Sequence, residues 1–336
     1  MEHSDANILL AVDNLKISFK TDEGIIRVVE GVDFTVKRGQ TLGIVGESGS
    51  GKSVSTKAIM QLLPDTAIID QTSSIKLYRN GGPPVEITRL KPKGRDIRQI
   101  RGGDIAMIFQ EPMASFSPVY TIGNQISEAV LAHRKMGKKE VRELAIDMLA
   151  KVGISNPAVR VDQYPFELSG GMRQRAMIAL ALATNPLLLI ADEPTTALDV
   201  TIQAQILELM RQLQDEFHMA IIFITHDLGV ISQIADEVVV MYLGQIMERG
   251  ATHDIIKNPQ HPYTQRLLGA IPKLDQLHLH ARLRAVGGDI PSPLERPTGC
   301  PFHTRCGQII HGKCERHMPA MVRVSDTHEV NCFLYE

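Results

Sequence analysis

The chain has 336 residues, with 36 Lys and Arg against 38 Asp and Glu and a formal charge of −2. That length supports one large domain plus a smaller one, or two domains, each with an adequate core. The balanced charge argues against a dedicated nucleic-acid binder, which needs a basic surface. The longest apolar run, Ala176 to Ala191, is broken by Thr184, Asn185 and Pro186, so no stretch offers the roughly 20 continuous apolar residues of a spanning helix. The N-terminal "MEHSDANILLAVDNLK" has acidic residues where a signal peptide needs a basic region and an apolar core. The chain is therefore expected to stay in the cytoplasm.

In chain order, "ILLAVDNLKISF" and "IIRVVEGVDFTVKRG" read as an N-terminal antiparallel β portion. "TLGIVGESGSGKS" follows as a short buried strand from Thr41 to Val45, a glycine-rich loop, and a helix from about Lys52. The loop fits G-x-x-x-x-G-K-[ST] with Gly46, Gly51, Lys52 and Ser53, and Glu47, Ser48, Gly49 and Ser50 fill its middle. Such a loop curls backbone N–H groups around phosphate oxygens. The helix N-terminus adds a favourable dipole, the Lys neutralises β/γ phosphates and the Ser ligates Mg²⁺.

Three further apolar runs end in polar residues: "DIAMIFQ" in Gln110, "LLLIADEP" in Asp192 and Glu193, and "AIIFITHD" in His226 and Asp227. Nearly uninterrupted apolar runs suit parallel strands covered by helices on both faces. Ligands of such sheets sit at the carboxyl ends of the strands. One such end by itself reads as a turn residue, but several around a phosphate loop point to a nucleotide site. Asp192 would hold the Mg²⁺ shell and Glu193 would act as general base on the attacking water. Gln110 would ligate Mg²⁺ or the water, and His226 would contact the γ-phosphate. "ELSGGMRQRAMIALALA" puts Ser169, Gly170 and Gly171 at a second helix N-terminus, either a plain cap or a γ-phosphate reader.

Together these motifs resemble the ATP-binding subunits of ABC transporters over residues 1–250. The matching elements are Walker A "GESGSGKS", the Q-loop at Gln110, the signature "LSGGMRQR", Walker B "LLLIADE", the D-loop "ALD" with Asp199, and the switch His226. Met172 departs from the common Gln after "LSGG". The resemblance implies an α/β fold: a P-loop NTPase ABC cassette with a parallel core sheet, an N-terminal antiparallel β portion and a helical subdomain over about 111–180. It implies that Phe19 stacks on adenine, although a buried strand Phe is the alternative. It also implies that ATP is sandwiched between two cassettes, with Ser169, Gly170 and Gly171 facing the partner's ATP. "EPMASFSPVYTIGNQI" would be the surface that meets two transmembrane permease subunits.

After "YLGQIMERG" the composition shifts toward Pro and His, placing a boundary near Ala251 and a small extension over 251–336. The irregularly spaced histidines from His253 onward read as surface residues. All four cysteines, Cys300, Cys306, Cys314 and Cys332, lie in this extension. A reducing cytoplasm disfavours disulfides, and chance packing explains such crowding poorly. The intervals are looser than the C-x₂₋₄-C of zinc knuckles, while four thiolates also hold iron–sulfur clusters; spacing leaves the two metals open. "NPQHPYTQRLLGAIPKL" and "RPTGCPFHTRC" resemble the C-terminal extension of dipeptide and oligopeptide importer ATPases. That resemblance implies a [4Fe–4S] cluster, with zinc as the alternative, and pairing with a second, non-identical ATPase. It further implies an external substrate-binding protein acting through the permeases, no nucleic acid, and a peripheral place on the cytoplasmic face of the inner membrane. Two other functions stay open. A soluble ABC ATPase acting on ribosomes or DNA would carry two cassettes or a long coiled coil, and an importer of the same family could take nickel chelates or oligosaccharides.

Overall fold

The computed structural model describes residues 7–79, 81–111, 115–196, 198–270 and 288–336. Residues 112–114 of the expected permease-facing stretch, residue 197 of "ALD" and residues 271–274 of "NPQHPYTQRLLGAIPKL" lie outside the described residues. The strands are β1 Ile8–Thr21, β2 Gly24–Lys37, β3 Thr41–Val45, β4 Ala67–Ile69, β5 Ser74–Leu77, β6 Val85–Glu86, β7 Ile105–Ile108, β8 Leu188–Asp192, β9 Ala220–Thr225, β10 Glu237–Tyr242, β11 Gln245–Ala251, β12 Met321–Ser325 and β13 His328–Asn331. The principal helices are α1 Lys52–Ile59, α2 Ile122–Leu131, α3 Lys138–Lys151, α4 Gly170–Leu182, α5 Val200–Phe217, α6 Leu228–Ile234 and α7 Pro262–Gly269. The chain divides into two compact units.

The first unit comprises Met1–Leu9, Val36–Gln40 and Arg89–Ile224. Its strands β7, β8 and β9 run parallel, with Ile105 opposite Leu188 and Leu188 opposite Ala220. Every residue of the three is buried, as their unbroken apolar composition requires. Helix α2 buries Ile122, Ile126 and Val130, the i, i+4, i+8 stripe of an amphipathic helix. The Thr121 hydroxyl caps it by accepting the Asn124 N–H at 3.3 Å. A Cβ on Gly123 would lie 2.4 Å from Val161 Cγ2, so glycine permits that close packing.

The second unit comprises Leu10–Thr35, Thr41–Thr88 and Thr225–Glu336. One sheet has the order β2-β1-β5-β6, with β4 also on β1; β4 and β5 pair with β1 antiparallel. In the other, β3 and β10 are parallel, and β11, β13 and β12 add on antiparallel in that order. The hairpin between β10 and β11 turns at Leu243 and Gly244, both at positive φ, the geometry of a tight type I′ turn. A Cβ on Gly244 would sit 1.9 Å from the Val28 carbonyl oxygen.

The small extension has a buried core and joins a sheet. Strand β13 continues the sheet from β11, and Phe302, Tyr263 and Val330 have no exposed surface. Of the histidines expected at the surface, His253, His311 and His317 are exposed, His278 and His280 lie outside the described residues, and two differ from expectation. His261 and His328 are 1% and 3% exposed because both meet the fully buried Glu248. Its carboxylate accepts the His261 backbone N–H at 3.0 Å and contacts His328 Nε2 at 2.7 Å. Burial lowers the His261 imidazole to about 4, against the pull of Glu248.

Candidate functional site

The phosphate-loop sequence forms the turn between β3 and α1. Gly46 cannot carry a side chain, because a Cβ there would lie 2.2 Å from the Met241 carbonyl oxygen. Gly49 and Gly51 hold φ of +78° and +94°, where a Cβ costs strain. The loop is pinned from outside by the Gly244 N–H, which donates to the Ser50 carbonyl at 2.9 Å. Lys52 is 5% exposed, and its ammonium donates to the carbonyls of Gly46 at 2.7 Å and Glu47 at 3.0 Å. Ser48 and Gly49 are exposed, whereas Ser50 is buried and Ser53 half-buried. Phe19 is half-buried on β1 opposite Ala67.

Strand β8 ends at Asp192, 3% exposed, and Glu193 follows at φ +49°, a strained conformation for a non-glycine residue. The Glu193 N–H donates to the Ile224 carbonyl at 3.0 Å, which holds the turn. The Glu193 carboxylate accepts the Gln110 Nε2 at 3.2 Å and the Thr196 hydroxyl at 2.9 Å. Gln110 and Glu193, 83 positions apart, are thus brought together. His226 follows β9 and is exposed. Ser169 caps α4 by accepting the Met172 N–H at 3.3 Å, and Ser169 and Gly170 are exposed. Asp199 caps α5 in the same way, accepting the Ile202 N–H at 2.9 Å. The sequence reading did not single out Gln174. It is 2% exposed and its amide donates to the Pro194 carbonyl, joining the signature helix to the turn after β8.

Two other residues escaped that reading. The Tyr263 hydroxyl accepts the Glu47 N–H at 2.9 Å, and Arg305 forms a bidentate pair with the Glu47 carboxylate at 2.7 and 3.0 Å. Arg305 lies in "GCPFHTRC", directly before Cys306, and that position is its one signal in the sequence.

Cys300, Cys306, Cys314 and Cys332 line one small cavity, with Phe302, His261 and Ile310 among its other walls. All four are free thiols. Burial raises the Cys300 thiol to about 12, opposed by a backbone hydrogen bond from Phe302, and the three other cysteines raise it further. Burial likewise raises Cys306 and Cys332. Among the described residues, no group of three or more His, Cys, Asp or Glu side chains could hold a metal ion. No described helix is long and apolar enough to cross a membrane.

Residues 29–196 match the ABC transporter family, and residues 247–314 match the C-terminal region of oligopeptide/dipeptide transporters. Among the similar relatives is the dipeptide transport ATP-binding protein DppD of Bacillus subtilis, 48% identical over 98% of this chain and 95% of that protein. Another is the oligopeptide transport ATP-binding protein AppD of the same organism, 46% identical over 98% and 97%. A solved dimeric ATP-binding cassette, MJ0796 bound to ADP and Pi, aligns with a TM-score of 0.63 and 26% identity, covering 73% of this chain and 99% of that one. The chain therefore belongs to the ATP-binding subunits of the dipeptide and oligopeptide family of ABC transporters and is an ATP-hydrolysing transport component.

Proposed function

We propose that this subunit binds MgATP and hydrolyses it to drive import of dipeptides or oligopeptides through two transmembrane permeases, from the cytoplasmic face of the inner membrane. The observation that carries the hydrolytic role is Glu193. It directly follows the buried Asp192 and is held by Gln110 and Thr196, as a positioned base requires. Residues Gly46 to Ser53 would cradle the phosphates with Lys52 on the β/γ oxygens, Phe19 would face the adenine, and His226 would contact the γ-phosphate. Ser53, Gln110 and Asp192 offer the oxygen ligands that suit Mg²⁺. When bound, the ion neutralises charge on the phosphates. Glu193 would take a proton from water as its oxygen bonds to the γ-phosphorus, and the bond to the ADP oxygen breaks.

The exposed Ser169 and Gly170 at the N-terminus of α4 suit a second ATP, one bound by an opposing cassette. The working unit is then a dimer of cassettes, in keeping with the dimeric solved relative, and a homologous, non-identical ATPase would supply the other half. An external binding protein would deliver peptide to the permeases. Val119 and Tyr120 are 70% and 55% exposed, and the Gln125 side chain fixes their loop by bonding Ser117 and the Tyr120 carbonyl. That loop is the proposed permease contact. We divide the chain into a cassette, 1–250, and an extension, 251–336.

The four thiols would hold a [4Fe–4S] cluster. Their common cavity supports this, and a cluster with one thiolate per iron spreads its ligands wider than a single zinc ion does. When bound it would tie together the loops that carry the thiols, and loading must displace protons from Cys300, Cys306 and Cys332, whose thiols burial keeps neutral. The functional test is ATP-dependent uptake of a labelled dipeptide into vesicles holding the whole complex and its binding protein. Uptake that stops with Lys52→Ala supports the reading, and hydrolysis stimulated by nucleic acid but not by the loaded binding protein would contradict it.

A further inference from the structure

Glu47 occupies the second position of the phosphate loop, and three of its polar groups are held. Its carbonyl accepts from Lys52, its N–H donates to the Tyr263 hydroxyl at 2.9 Å, and its carboxylate takes the Arg305 fork at 2.7 and 3.0 Å. Lys52 is the loop's own lysine. The other two come from the extension, 216 and 258 positions away.

Both are rigidly based. Tyr263, Tyr242 and Phe302 form a closed aromatic triangle with centroids 4.8, 5.3 and 5.2 Å apart, and each is at most 1% exposed. The Arg305 guanidinium donates to the Tyr242 hydroxyl at 3.2 Å and lies 5.6 Å from the Tyr242 ring centroid and 6.0 Å from that of Phe302. Its side chain is 3% exposed, and that of Glu47 is 21% exposed. A guanidinium buried to this degree needs its carboxylate, and the fork geometry fixes the carboxylate's direction.

We propose that Arg305 and Tyr263 are positioning residues for the phosphate-binding loop, acting through Glu47. Tyr263 turns the Glu47 amide outward, so that this N–H is spent on the scaffold and the following loop amides remain for phosphate. Arg305 neutralises the one carboxylate within a loop built to receive a polyanion. Without it, an uncompensated negative charge would stand in the loop and repel the nucleotide.

The test measures binding of ATP to the full chain by calorimetry, with melting temperature recorded for each variant. Arg305→Met should weaken ATP binding about tenfold, the scale of one charge-assisted hydrogen bond. The loss should shrink as salt is raised, since repulsion is screened. Removing the stranded carboxylate should then restore affinity, so Arg305→Met with Glu47→Ala should bind more tightly than Arg305→Met alone. A purely structural role gives no such rescue. Tyr263→Phe keeps the ring in its cluster and should weaken binding about threefold, a neutral hydrogen bond's worth. Wild-type affinity in folded Arg305→Met, or a double variant no tighter than that single one, overturns the role of Arg305. Should Arg305→Met fail to fold, Tyr263→Phe decides, and unchanged affinity there overturns the proposal.

Discussion

Glu193 sits at φ +49°, a conformation that costs on the order of 1–3 kcal/mol outside glycine. The Ile224 carbonyl, Gln110 and Thr196 hold it there. Such strain is kept where surroundings over-determine it, which suits a residue whose carboxylate must point one way. Gly46 is constrained for a different reason. Gly46→Ala would drive a Cβ into the Met241 carbonyl at 2.2 Å, so we expect a loss of about 1–3 kcal/mol, as for overpacked cores. Denaturant unfolding measures that loss, and ATP affinity should fall with it. An alanine variant of wild-type stability would mean that the loop relaxes freely. Among residues, the motif-bearing ones were legible because their chemistry is written locally: glycines, Lys52, adjacent carboxylates. Arg305, Tyr263 and Gln174 were not, because each acts across the chain on a partner no local pattern names.

At the scale of elements, α4 presents Ser169 at an exposed N-terminus whose hydroxyl already caps the helix. If that end serves an opposing ATP, Ser169→Arg should abolish hydrolysis at the partner's site yet leave ATP binding at this chain's own loop largely intact. Equal hydrolysis by isolated monomers and by the complex would contradict the composite site. The loop before α2 makes a separate claim. Val119→Asp with Tyr120→Asp should leave ATP binding near wild type while lowering stimulation by the permeases about tenfold or more, since buried interface anchors dominate binding; co-purification and turnover read it. Strands β1, β2, β3, β7, β8 and β9 were legible to within a few residues, because unbroken apolar runs bounded by Gly or polar ends have few alternatives, whereas β4 to β6 and β10 to β13 were not read as strands. Nor was the addition of β13 to β11, since β12 and β13 alternate weakly and the partner of β13 lies 80 positions upstream, as Arg249 and Glu329 mark.

For the whole molecule, the extension is part of the sheet and of the phosphate loop's support, and its thiols share one cavity. Protein purified without oxygen should be brown and carry about four irons and four sulfides per chain. Stoichiometric zinc without iron would overturn the cluster. Cys306→Ser should lose iron and loosen the cysteine-bearing loops of the extension, while β13 stays paired with β11. The identity of the family was legible in the motifs; the burial of His261 and His328 was not, because the buried Glu248 carboxylate collects one partner from a helix cap 13 positions on and another from a strand 80 positions on. The central claim, that this chain hydrolyses ATP with Glu193 as base, is tested most directly by the ATP turnover of the assembled complex carrying Glu193→Gln. The variant should bind ATP with unchanged affinity and turn it over about 10²-fold more slowly or worse, the scale of losing a positioned base. Near-normal hydrolysis would contradict the account.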